Sequence, residues 1–332
     1  MCNGIEKLYI EPTSACNLNC KMCFRHSWIN EKIGFMADAT FKHILEDISD
    51  TELKSVMFGG MGEPLLHKNI VGMVHSFSEQ NIKTELLTNA TLLTRECANE
   101  LIEAGLDTLW ISVDEFGREE YEKIHSGSRF DLIKQNIEYF NKIRKKCSMG
   151  LTFVIMQDNI DKLIKINEFA DDLFFDYINL SYEVPSSPMG RYNSCYDTGF
   201  FAGIQARVDF SNFYLRKENY CPFIEENNSF IKWDGEVSPC MQLLHNSYSY
   251  LYEEKREILS KSFGNVNDIR LNDIWKCNEY ISFRKRVHDF DFPDCTICDG
   301  CEDRLSNKTD CMYNIFPTCG ACLWSQGIGR CP

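Results

Sequence analysis

The sequence predicts an α/β protein in two parts: a parallel sheet with crossover helices over residues 1–185, and a small cysteine-rich domain over 219–332, joined by a bridging segment, 186–218. Three observations predict it. Short β-like runs alternate with amphipathic helical runs as far as residue 185, the pattern of consecutive βαβ units. The run Pro185-Ser186-Ser187-Pro188-Met189-Gly190 breaks that alternation. Beyond Tyr220 turn residues and cysteines take over, and ten of the 17 cysteines lie there, nine of them besides the isolated Cys277.

In chain order, strands are expected at 8–10, 55–58, 84–88, 108–113, 151–155 and 177–182, with helices at 40–48, 70–80, 94–104, 132–146 and 161–173. Thr94 and Asp161 are expected N-caps, and Gly105 a C-terminal stop. Right-handed crossovers would curl the sheet and put every strand end on one face. A helix rich in aromatics is expected at 200–216, inside the bridge, and a β-hairpin at 231–237 around Asp234-Gly235. The apolar content after residue 220 looks too thin to fold without metal.

A hydrophobic fraction of 44% suits an ordinary core, and no run of about 18 apolar residues could span a membrane. The first residues, Met1-Cys2-Asn3-Gly4-Ile5-Glu6-Lys7, lack the basic-then-apolar pattern of a signal peptide, so a cytoplasmic protein without a membrane partner is expected. A formal charge of -14 argues against nucleic acid, whose phosphates need clustered Lys and Arg. Seventeen cysteines exceed what packing explains, and disulfides need an oxidising compartment that nothing here indicates. Thiolate ligation of metal is the economical account. Cys97, Cys147, Cys195 and Cys277, isolated in the sequence, are expected to be buried thiols.

Cys16, Cys20 and Cys23, spaced C-x3-C-x2-C just after the first strand, can hold three irons of one 4Fe-4S cube. No fourth cysteine is near, so one iron would stay open to a small ligand. Zinc is the plain alternative, but structural zinc wants four ligands, usually from two C-x2-C arms. Behind the second strand lies Phe58-Gly59-Gly60-Met61-Gly62-Glu63-Pro64. Its glycines let the backbone approach a ligand, and Glu63 can accept a hydrogen bond from an ammonium group. Thr88 and Asn89 end the third strand, and Ser112 and Asp114 the fourth. Their plain reading is turn capping.

The triplet followed by Phe24 resembles the signature of radical S-adenosylmethionine (SAM) enzymes. That resemblance implies a partial (β/α)6 barrel of the TIM type, with a cluster on Cys16, Cys20 and Cys23 whose open iron chelates the amino and carboxylate groups of SAM. It also implies a SAM site formed by Phe24, Gly60, Gly62, Glu63, Thr88, Asn89, Ser112 and Asp114. The inserted Met61 departs from the simplest Gly-Gly-Glu form. Arg118 and His125 lie in a similar stretch but are expected at the surface.

Further on, Cys221-x13-Gly235-x4-Cys240 resembles the opening of the SPASM extension of such enzymes, as does Phe263-Gly264-Asn265-Val266 with Leu271-Asn272-Asp273-Ile274-Trp275. Cys295-x2-Cys298-x2-Cys301-x9-Cys311 and Cys319-x2-Cys322-x8-Cys331 follow, departing from the commonest SPASM spacing. The nine thiols exceed the eight of two full cubes. Analogy places Cys221, Cys240 and Cys311 on an inner cluster and Cys295, Cys298, Cys301 and Cys331 on an outer one. C-x2-C pairs are also zinc-knuckle spacing, so zinc stays open here.

The block Cys319-Gly320-Ala321-Cys322-Leu323-Trp324, with the final Cys331-Pro332, resembles the maturases of tungsten-containing aldehyde ferredoxin oxidoreductases. The resemblance implies three 4Fe-4S clusters, cleavage of SAM to a 5'-deoxyadenosyl radical, and hydrogen abstraction in maturing a tungsten-pterin oxidoreductase or its cofactor. Expected partners are an electron donor such as ferredoxin or flavodoxin, and a cofactor or protein/peptide substrate. A peptide-modifying maturase is the alternative, although only fifteen residues precede the triplet, too few for a leader-recognition domain. An iron-sulfur electron-transfer or scaffold protein is the alternative of another class. No substrate acid or base is nominated, because cavity-facing positions are not legible in a sequence.

Overall fold

The computed structural model describes residues 4–48, 52–156, 158–183, 220–251, 254–293, 301–314, 319 and 322. Six parallel strands follow one another across a sheet in chain order: β1 (Lys7–Ile10), β2 (Ser55–Phe58), β3 (Lys83–Thr88), β4 (Thr108–Ser112), β5 (Ser148–Ile155) and β6 (Tyr177–Tyr182). This is the partial barrel expected, each strand within three residues of its predicted start. Between them lie α1 (Asp38–Ile48), α2 (Ile70–Ser78), α3 (Arg95–Glu103), α4 (Arg118–Ile124), α5 (Phe130–Ile143) and α6 (Ile166–Asp172). Strand residues Leu8, Ile10, Val56, Phe58, Leu86 and Ile111 are buried in one continuous core with helix residues such as Ile44, Phe77 and Phe140.

Thr94 caps α3 as expected, its hydroxyl accepting from the Cys97 amide, and Gly105, at φ +87°, ends it in a conformation that costs glycine no Cβ clash. Asp161 is no cap. It falls inside a 3-10 run, Ile160–Lys165, that leads into α6. α4 was not expected: seven residues, mostly charged, whose Tyr121 and Ile124 alone turn inward.

The cysteine-rich part continues the barrel sheet. Its strand β7 (Asn228–Ile231) pairs in parallel with β1, Tyr9 opposite Phe230, and β8 (Val237–Ser238) turns back antiparallel, giving the order β6-β5-β4-β3-β2-β1-β7-β8. The hairpin turn is the predicted Asp234-Gly235, with Gly235 at φ +93° and the Lys232 amide donating to the Glu236 carbonyl. A short helix, α7 (Pro222–Glu225), precedes it; a second hairpin, β9 (Ser247–Leu251) with β10 (Glu254–Ile258), and helices α8 (Leu271–Lys276) and α9 (Asn278–Asp289) follow. Trp275 and Tyr280 are fully buried, with the Arg284 guanidinium 3.6 Å from the Trp275 ring centre. This region is therefore less poor in core than its composition suggested: a few large aromatics supply what a longer aliphatic run would. The expected break at 185–190 and helix at 200–216 lie outside the described residues.

Candidate functional site

The ends of β1 to β4 converge on the cysteine triplet. The loop that carries it is tied down by backbone bonds: the Asn19 amide donates to the Ser126 carbonyl, Lys21 to Ile124, and Cys23 to Cys20. Phe24 opens a 3-10 turn, Phe24–Ser27, in which Phe24 and Ser27 are buried. Each thiol has a nitrogen neighbour. The Leu18 amide lies 3.4 Å from Cys16 Sγ, His125 Nδ1 3.4 Å from Cys20 Sγ, and Arg25 Nε 3.5 Å from Cys23 Sγ. Burial raises the Cys16 thiol, and burial with the nearby Cys23 thiol pushes Cys20 up to about 12. Arg25 opposes both shifts; it is the cation placed to offset the negative charge of thiolates gathered here.

Glu63 is the informative neighbour. It is fully buried, Oε1 accepting from Thr88 Oγ1 at 2.7 Å and the Leu65 amide at 3.1 Å, Oε2 from the Asn89 amide at 2.8 Å. Burial pushes its pKa up to about 7, against the pull of those three donors. Among the described residues no cation pairs with it, and Oε2 keeps an acceptor position free. Asn89 links it to the triplet, its Nδ2 lying 3.9 Å from Cys16 Sγ. Gly60, at φ +115°, sits against Glu11, and a Cβ on Gly62 would run into the carbonyl oxygens of Thr13 and Ala15. Gly62 is required by close backbone approach and Gly60 by its positive φ.

Asp114 faces inward: Oδ1 accepts from the Val154 amide, and Oδ2 lies 2.9 Å from His125 Nε2 and 3.4 Å from Ser112 Oγ. His125, expected at the surface, is 1% exposed and spans from Asp114 to Cys20. Arg118, by contrast, is exposed and paired with Asp131.

A second group of thiols forms between the α7 start, the β8 end and the tail. Burial pushes Cys221 up to about 12 and raises Cys240 and Cys319 further, and these thiols also act on one another: Cys322 on Cys221, Cys221 and Cys322 on Cys240, all three on Cys319. Cys311, placed with Cys221 and Cys240 by analogy, is exposed, and Cys301 is half-buried. Cys295, Cys298 and Cys331 lie outside the described residues. Among the described residues no group of three or more Cys, His, Asp or Glu side chains is placed to hold a single metal ion. Of the isolated thiols, Cys147 is buried and Cys97 and Cys277 half-buried; Cys195 is outside the described residues.

Sequence reasoning missed Glu11, Glu31 and His245, a buried cluster at the mouth of β1. The one available signal was a carboxylate directly after the apolar run of β1.

A family profile described as Radical SAM superfamily matches residues 10–170, and one described as an iron-sulfur cluster-binding domain matches 221–302. The tungsten-containing aldehyde ferredoxin oxidoreductase cofactor-modifying protein of Pyrococcus furiosus is 32% identical over 350 aligned residues, 99% of this chain and 97% of the relative. The chain belongs to the radical SAM superfamily. It is an enzyme of the SPASM-bearing kind, which uses SAM and 4Fe-4S clusters. The probable GTP 3',8-cyclase of Methanocaldococcus jannaschii is 30% identical over 174 residues, 51% of this chain and 56% of that relative. Among solved structures, anSMEcpe with bound AdoMet aligns with TM-score 0.65 at 18% identity over 97% of this chain and 95% of that one. SuiB of Streptococcus suis bound to S-adenosylmethionine gives 0.65 at 19% over 85% and 68%. At such identities the likeness is one of fold. Among the described residues no helix is long and apolar enough to cross a membrane.

Proposed function

We infer that this radical SAM enzyme modifies a tungsten-pterin cofactor or the oxidoreductase that carries it, with Cys16, Cys20 and Cys23 holding the SAM-binding cluster. The observation that carries the site is the buried Glu63 carboxylate, which has no cation partner among the described residues and lies one asparagine away from Cys16. A carboxylate so placed is costly unless an ammonium comes to it, and the SAM amino group is such a partner. Gly60 and Gly62 let the turn close on it, Thr88 and Asn89 hold the carboxylate in place, and Phe24 supplies an apolar wall. Asp114 and Ser112 act behind this layer, Asp114 orienting His125 toward Cys20.

Cys221, Cys240, Cys319 and Cys322 fit an inner auxiliary cluster. That leaves Cys295, Cys298, Cys301, Cys311 and Cys331 to supply the four ligands of an outer one, with one thiol spare. Held by Cys16, Cys20 and Cys23, the first cluster would supply an electron for reductive cleavage of SAM, and an auxiliary cluster held by four thiolates would have no open position and would suit electron transfer rather than substrate ligation. A ferredoxin or flavodoxin is the reductant this assignment calls for.

Anaerobic reduction by dithionite with SAM tests the site: 5'-deoxyadenosine is expected, and its absence would favour a scaffold. For the substrate, tungstopterin or its host apo-oxidoreductase should accelerate 5'-deoxyadenosine release. Acceleration by a cysteine-rich peptide instead would overturn the cofactor reading.

A further inference from the structure

His245 comes from the cysteine-rich part of the chain, yet it is 1% exposed against the first barrel strand. Its Nε2 lies 3.0 Å from both oxygens of Glu11, and its Nδ1 2.9 Å from Glu31 Oε2. Neutral imidazole has one N–H, so it could serve only one carboxylate and would aim a lone pair at the other. Two carboxylate partners require both nitrogens protonated.

The surrounding charges agree. Glu31 also accepts from the Asn246 amide and side chain and lies 3.3 Å from Lys232 Nζ, which reaches Asp234 at 3.3 Å. Two buried carboxylates thus meet two cations, and Asp234 is partly in solvent. The Trp28 ring stacks on the imidazole at 4.3 Å. Burial works against the charged ring, and Lys232 with it, but Glu11 and Glu31 outweigh both and raise the His245 pKa above its ordinary value.

Glu11 does more than pair. Its Oε1 accepts from the Met61 amide at 3.1 Å, and a Cβ on Gly60 would stand 2.8 Å from its Cγ, so the Gly59 to Glu63 turn rests on this side chain. We propose that His245 is a positioning residue for the SAM site, an imidazolium clamp between Glu11 and Glu31 that fixes the carboxylate beneath the glycine turn. The inference rests on the reading that this turn and Glu63 hold the SAM amino group. It makes the cysteine-rich domain part of the SAM site as well as a carrier of clusters.

The raised pKa sets the sign. The clamp is complete at lower pH and is lost as pH rises through the folded-state value, which lies above 6.5. SAM affinity falls with it. The amino group of SAM also loses its proton in alkali, so the comparison is between proteins.

The test uses the full chain with its clusters reconstituted, as wild type, His245→Gln, Glu31→Gln and Glu63→Gln. Iron content is measured first. Release of 5'-deoxyadenosine is then followed at varied SAM concentrations from about pH 6 to about pH 9, giving KM for SAM and the turnover rate at each pH. His245→Gln should keep its iron and raise KM for SAM about tenfold, with turnover changed less than about twofold. Its KM should lose the part of the alkaline rise that belongs to the imidazolium and keep the titrations of SAM and of Glu63 that it shares with wild type. Glu31→Gln, which removes one carboxylate, should move the wild-type alkaline rise to lower pH. An unchanged KM and alkaline limb in both variants overturns the clamp, and should His245→Gln fail to take up iron, the limb of Glu31→Gln decides alone. If Glu63→Gln also leaves KM unchanged, the SAM-site reading has failed; if it raises KM while the other two do nothing, only the clamp has.

Discussion

Replacing Glu63 by Gln separates what the carboxylate costs the fold from what it does for SAM. Its pKa stands at about 7 in the folded protein against 4.5 for a free carboxyl. A folded-state value above the unfolded one means that the folded chain binds more protons between the two, so stability falls as pH climbs through that window. Between about pH 5.5 and about pH 8 the loss amounts to about 2 kcal/mol. Gln carries no such penalty. It offers one oxygen to the three donors Thr88, Asn89 and Leu65, which costs about 1 to 2 kcal/mol at every pH. The stability difference between variant and wild type should therefore swing by about 2 kcal/mol in favour of the variant over that range, in urea melts of the SAM-free reconstituted protein. Binding of SAM, followed by equilibrium dialysis, should weaken about 10- to 100-fold through loss of a charge-assisted bond. Equal differences at both pH values would refute the burial argument, and unaltered SAM affinity would refute the ammonium site.

Cys16→Ala, Cys20→Ala and Cys23→Ala together should leave about eight of about twelve irons and abolish 5'-deoxyadenosine formation; retained cleavage would reject the triplet assignment. Cys322→Ala should cost about four irons by chemical analysis, whereas a full complement would show that the tail thiols serve elsewhere. Gly62→Ala puts a Cβ against two backbone carbonyls and should lower stability by about 1 to 3 kcal/mol, with loss of SAM binding. A wild-type melting curve and SAM affinity would mean that the turn can move aside.

Strands were legible because period-2 and apolar runs such as Ser55–Phe58 are buried by their own sheet. α4 was not, because Arg118 to Lys123 present almost no apolar stripe and the helix depends on packing Tyr121 beside His125 at a ring distance of 4.5 Å. The same contact explains His125: a polar residue after a charged run reads as surface until the fold brings Asp114 and Cys20 to it. Local spacing announced the triplet and the glycine turn. It could not announce pairs brought together across the fold, such as Cys240 with Cys322, or Glu11 with His245 from 234 residues away.

The parallel pairing of β7 with β1 has a consequence for modularity. Without residues 219–332, the first barrel strand would become an open rim of unpaired amides and carbonyls, with Tyr9 stripped of the Phe230 ring now stacked on it at 4.4 Å. Such a rim is a template for adding strands from other molecules. A shortened chain would tend to clump before it could be asked whether it still handles SAM, so the cluster-bearing half is a seam of the barrel and not a detachable attachment.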